Sequence, residues 1–233
     1  MTHTNHRRGP RQSLEGDYVI LFMLDPPTKA QRTYRGPLED RVKKLISICA
    51  KYQPIALSAK DGNERLRYYK GWEPRLNSGA HIGSSLERVG ACHELLDEGL
   101  GHAVYTSKKA VEGVLTELKE ADLGISIVVS GIFDNVFDCC KQAGLQPHTA
   151  NMSLETWGKT ELLPEGPVLE IATMCGHAMI SVNLINAMID RVRKGGMTKE
   201  DAAVELAKQC TCTIFNPVRA AEIIEKAIDA DQR

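Results

Sequence analysis

Residues 167–217 read PVLEIATMCGHAMISVNLINAMIDRVRKGGMTKEDAAVELAKQCTCTIFNP, and the order of elements within them decides the expected fold. The short apolar run 168–173 predicts a buried strand that delivers Cys175 to a turn at Gly176. Met179, Val182, Ile185, Ile189 and Val192 then recur at helical spacing until Gly195-Gly196 stops the helix. Thr198 and Asp201 have the Thr-x-x-acid spacing of an N-cap, which opens a second helix with Ala203, Leu206 and Ala207 inward. Two antiparallel helices on a short glycine loop return the chain to its starting point. Cys210 and Cys212 are therefore expected beside Cys175 and His177. Asn216-Pro217 reads as the N-cap and first residue of a last helix.

Three thiols and an imidazole gathered in two loops are a donor set for a soft metal. Thiolates and a neutral imidazole suit zinc, and three thiolates also hold an iron–sulfur cluster. Cys175, Cys210, Cys212 and His177 are the expected ligands, although Cys-x-His paired with Cys-x-Cys is not a standard zinc-finger spacing. With zinc, all four would close the shell, as in a structural site. With an iron–sulfur cluster, the three cysteines leave one iron open as a Lewis acid. His177, His148 and Glu170 are then the candidate catalytic groups, moving protons in a dehydration or sulfur transfer. Two other readings stand beside this one. Cys175 could act without metal as a nucleophile, aided by His177 and a helix N-terminus. Alternatively, the cysteines are small buried hydrophobes.

The bulk composition bounds the rest. A 233-residue chain with 42% hydrophobic residues and net charge −1 suits one large domain or two small ones, and gives no reason to expect nucleic acid or an anionic membrane as a partner. No run approaches the roughly 18 apolar residues of a membrane span. Seven cysteines with no apolar N-terminal signal point to a reducing, cytoplasmic location. Residues 1–16 are polar and basic, and their composition reads as a disordered arm.

Outward from the cysteines, the chain alternates strand and helix. The run 18–24 is a strand buried on both faces, and Pro37 begins a helix with Leu38, Val42, Leu45, Ile46 and Cys49 inward. Residues 55–57 are a short strand, and 99–102 (GLGH) a flexible turn. Ser107 starts a helix lined by Val111, Val114, Leu115 and Leu118. Residues 125–129 form a strand, a helix through Val136 and Cys140 follows, and 147–154 form a further strand.

Residues 61–82 show no periodicity, but interleave Arg65, Arg67, Lys70, Arg75 and His81 with Tyr68, Tyr69 and Trp72. They suit a surface or substrate loop. Ser84 and Glu87 fit a capping box whose helix continues through Leu86, Val89, His93 and Leu96. The exposed amides of that first turn would favour an anion. Arg75, His81, Ser84 and Ser85 are accordingly the candidate substrate-binding residues, with Asn151 from the strand at 147–154.

The expected fold class is α/β: a helix-flanked sheet with a helical C-terminal unit carrying a Cys/His cluster. Residues 17–233 form one domain, with a subdivision into an α/β part (17–166) and a metal-binding helical part (167–233). No G-x-G-x-x-G opens a helix after a strand and no G-x-S-x-G elbow is present, so dinucleotide binding and serine hydrolysis are unsupported. The expected function is a metal-dependent (iron–sulfur or zinc) enzyme on a small anionic or polar metabolite, of lyase, hydrolase or sulfur-transfer type. Its expected partner is a small-molecule substrate, and the sequence is compatible with a homo-oligomer. The alternatives are a non-enzymatic zinc-stabilised interaction module and a metal-free cysteine-nucleophile enzyme.

Overall fold

The computed structural model describes residue 4 and residues 7–23, 36–71, 84–96, 99–153 and 156–231. It is mixed helix and sheet, and it divides into two compact units: residues 15–147, and residues 1–14 with 148–233.

The first unit is built on one antiparallel five-stranded sheet, in the order β3-β2-β4-β1-β5. β1 (Tyr18–Met23) is the continuous apolar run of the sequence, and it pairs with β4 (Leu100–Tyr105) and β5 (Ser126–Ser130). Alternation puts Tyr18, Ile20 and Phe22 on one face. They share a core with Leu57 and Ala59 of β2 (Ala56–Asp61), and with Leu66 and Tyr68 of β3 (Glu64–Tyr69).

Helices complete that core, Val89 of the short α3 (Leu86–Gly90) joining three longer ones. In chain order they are α2 (Leu38–Lys51), α4 (Lys108–Ala121) and α5 (Phe133–Gln142). Val42, Leu45, Ile46 and Cys49 are buried as their spacing predicts, and so are Val111, Val114, Leu115 and Leu118, whereas Leu38, expected inward, is exposed at the first position of α2. α1 (Arg11–Leu14) and α3 are short helices of four and five residues.

Four local expectations are corrected. Gly99–His102 is not a turn throughout: β4 begins at Leu100. Gly101 sits opposite Phe22, where a Cβ would lie 2.6 Å from the ring, so this glycine serves close packing within a strand. Residues 64–69 form β3, paired with β2 through the two-residue turn Gly62-Asn63, where Gly62 has φ 57°. The helix expected to run through Leu96 ends at Gly90, and its N-cap is Ser85, whose hydroxyl accepts from the Arg88 N–H. Residues 147–153 join no strand, and Met152 is 64% exposed, because the segment has no apolar face to bury.

In the second unit, residues 168–173 are not a strand. They belong to α6 (Gly166–Thr173), which Pro167 initiates from its first turn. A six-residue apolar run has no periodicity that separates a buried strand from a buried helix. α7 (Val182–Arg193) and α8 (Lys199–Ala207) form the expected hairpin, except that the first helix starts later than its apolar spacing predicts: Ser181 caps it, Met179 lies outside it, and Met179 and Val182 are exposed. Gly195 takes φ 70° at its end, and Thr198 Oγ1 accepts from the Asp201 N–H. Asn216 Oδ1 accepts from the Arg219 N–H and opens α9 (Pro217–Asp231). α7 packs on α8, α8 on α9, and α6 on both α7 and α9.

Residues 7–14, polar and basic by composition, lie against this unit. Arg7 donates to the carbonyls of Met174 and Ile214, and the Arg8 N–H donates to Thr173 Oγ1 at 3.0 Å.

Candidate functional site

Two turns of the helical unit have the same form. Residues 175–179 read CGHAM and residues 210–214 read CTCTI. Each begins as a helix ends: the Cys175 N–H donates to Ala172 O, and the Cys210 N–H to Ala207 O. Each closes on its own cysteine. Ala178 N–H reaches Cys175 O at 3.0 Å, and Thr213 N–H reaches Cys210 O at 3.1 Å. In each, the closing residue is left-handed without being glycine, with φ 52° at Ala178 and 60° at Thr213. For a β-branched threonine that is an outlier. Its hydroxyl is also fully buried, with no hydrogen-bond partner among the described residues.

The turns aim backbone donors at sulfur. Cys175 Sγ accepts from the N–H groups of Met179 and His177, and Cys210 Sγ from the Ile214 N–H. The two sulfurs also share a hydrogen bond. The Cys210 thiol, donating to Cys175 and aided by the amides, brings Cys175 down from 9.0 to about 6 against the opposing effect of burial. Cys210 is pushed well above the ordinary thiol value, first by the Cys175 thiolate it serves and then by burial. The other buried cysteines behave oppositely to Cys175. Burial pushes Cys49 up to about 12 and Cys139 up to about 11, as expected of core thiols.

Cys175 and Cys210 are buried, whereas Cys212 is half-buried and His177 exposed. His177 Nδ1 lies 3.1 Å from Cys212 Sγ, so the imidazole meets the thiol of the other turn rather than the cysteine two residues before it. The expected ligands are thus two contacting pairs, one dry and one wet. Among the described residues, no three His, Cys, Asp or Glu side chains are already gathered around a single metal position.

The other candidates stand elsewhere. Glu170 accepts from Ser13 Oγ at 3.3 Å and lies 3.4 Å from the buried Arg219 guanidinium. His148 is exposed, its Nδ1 2.8 Å from Thr149 Oγ1, and Asn151 is exposed as well. Ser84 and Ser85 belong to the sheet unit, where the Ser85 hydroxyl caps α3. Arg75 and His81 lie outside the described residues. Arg7 read in the sequence as part of a basic arm that could touch an anion, and Gly9, Ser13 and Arg219 were not candidates there. No local pattern flags them, because their partners lie in distant parts of the chain.

Comparison with protein-family models, curated proteins and solved structures gives no match.

Proposed function

We propose that the helical unit binds a soft metal centre, zinc or an iron–sulfur cluster, through Cys175, Cys210 and Cys212, and that the chain is a metal-dependent enzyme on a small anionic or polar metabolite. The observation that carries this is the repeated turn Cys-x-(His/Cys)-αL, each copy with a backbone N–H donating to the sulfur of its first cysteine. Amide donors stabilise charge on sulfur, and thiolate is the form a metal takes. The proton that Cys210 holds against Cys175 is the one a cation would displace. The strained closing residues are the kind of local cost that persists at functional sites. When bound, such a centre supplies a Lewis acid. His177, exposed beside Cys212, would exchange a proton with a substrate and orient it.

One observation favours a second reading. A half-buried thiol 3.1 Å from an imidazole is the pairing of a cysteine nucleophile and its base, with Cys212 rather than Cys175 in that role. A non-enzymatic zinc-stapled module is the remaining alternative.

Anaerobic purification followed by metal analysis and a visible spectrum tests the proposal. Broad visible absorption with bound iron, or a colourless protein with one zinc per chain, is the expected result. Protein with neither, whose activity is lost on alkylation of Cys212, would replace the metal reading with the thiol one.

A further inference from the structure

The two cysteine turns are far apart in the chain, with His177 and Cys212 separated by 35 positions, and besides their own His177–Cys212 and Cys175–Cys210 contacts they are joined by residues 7–14. The Arg7 guanidinium donates through one nitrogen to Met174 O, at 3.4 Å, and to Ile214 O. Met174 immediately precedes Cys175, and Ile214 is the residue whose N–H donates to Cys210 Sγ. A single cation therefore joins the entry of one turn to the exit of the other.

The rest of the segment is anchored to hold it there. The Arg8 N–H donates to Thr173 Oγ1, Arg8 Nη2 to Thr156 Oγ1, and Arg219 donates to Arg8 O and to Ser13 Oγ. Gly9 crosses directly over the Glu170–Arg219 pair at φ 140°. A Cβ there would lie 2.5 Å from both Arg219 Nη2 and Glu170 Oε2. Arg219 is 2% exposed, so the segment's anchor is itself fixed in the core.

We infer that the N-terminal segment 7–14 is a strap across the site, and that Arg7 is a positioning residue holding Cys175 against Cys210. The inference concerns how the two turns are brought together and stands whether or not they bind metal.

Thiol–disulfide equilibrium reads that positioning without metal. The full chain carrying Cys212→Ser is equilibrated with glutathione and a chelator. One oxidised glutathione is reduced to two reduced glutathione molecules as Cys175 and Cys210 give up two protons and two electrons and form one S–S bond. Sulfurs already sharing a hydrogen bond need only a local shift to reach the ~2.05 Å bond length. The equilibrium constant measures their effective concentration.

Added to that background, Arg7→Gln and, independently, Gly9→Ala are each expected to lower the constant by about ten-fold or more, because small displacements of paired groups carry large penalties. Ile189→Val, a core change in the same unit that also lowers stability, is the control and should leave the constant within about two-fold, as distant sites behave independently. An unchanged constant in both strap variants, or an equal fall in the control, overturns the inference. A wild-type chain that takes up no metal removes the proposed centre and leaves this inference intact.

Discussion

Arg219 Nη2 lies 3.4 Å from Glu170 Oε2, joining the first turn of α9 to the middle of α6 beneath the backbone of Gly9. Arg219 is 2% exposed at its side chain and Glu170 18%, so this is a largely dry ion pair. Removing one partner of a buried pair leaves a charge without compensation, a loss of about 3–5 kcal/mol. Glu170→Ala should therefore shift the urea midpoint down strongly, and Glu170→Gln, which keeps a hydrogen-bond acceptor for Ser13, less so. Full stability in Glu170→Ala, combined with lost activity, would return Glu170 to the catalytic role its sequence position suggested.

The Cys175–Cys210 pair makes stability of the metal-free chain depend on pH. Cys175 ionises near 6 when folded and near 9.0 when unfolded, so its contribution is fully present above pH 9 and is lost as pH falls through 6. Cys210 has the opposite sign: raised in the folded state, it lowers stability as pH climbs beyond 9. Thermal midpoints should rise from pH 6 to pH 9 and turn down above that. The thiolate absorbance at 240 nm should appear with a midpoint near 6. Cys175→Ser should abolish that step and flatten the rise; a wild-type step first seen at pH 9 would contradict the arrangement.

The ligand reading separates the three cysteines from the histidine. Each of Cys175→Ser, Cys210→Ser and Cys212→Ser should release the metal and loosen α6 to α9, since binding and folding are linked. His177→Ala should keep metal and fold while activity falls by about 10²–10⁴-fold, the range of a general acid or base. Full metal content in two of the three serine variants would end the proposal, and metal loss in His177→Ala would move the histidine into the shell.

Ala178 is exposed and left-handed, so glycine should suit it better. Relief of a conformation that costs about 1–2 kcal/mol, against the roughly 0.5–1 kcal/mol of extra chain entropy glycine loses, leaves a small net gain. Ala178→Gly is expected to raise the melting temperature slightly without altering metal content. A clear fall would show that the turn is held without strain.

In the sheet, Gly101→Ala would push a Cβ within 2.6 Å of the Phe22 ring and 2.9 Å of Leu95. Overpacking of a filled core costs about 1–3 kcal/mol. The variant should unfold at lower urea with an unchanged slope. Unaltered stability would mean that Phe22 has room to move.

Local chemistry was enough for much of this molecule. β1, β5, α2, α4, α5, the α7–α8 hairpin with its Gly195 and Thr198 signals, and the Asn216 cap of α9 all follow from residues within a few positions of one another. Capping and periodicity act over a single turn or pleat, so they are written directly in the chain. The hairpin alone was sufficient to predict that the two cysteine loops meet.

Which side chains touch was decided elsewhere. Val168–Thr173 became helix rather than strand, Gly101 entered a strand because Phe22 stands opposite, and residues 7–14 found partners up to 211 positions away at Arg219. His177 met Cys212 and left Cys175 to Cys210. Each of these outcomes depends on a surface assembled from distant segments, whose complementary shape and charge exist only after the chain has folded.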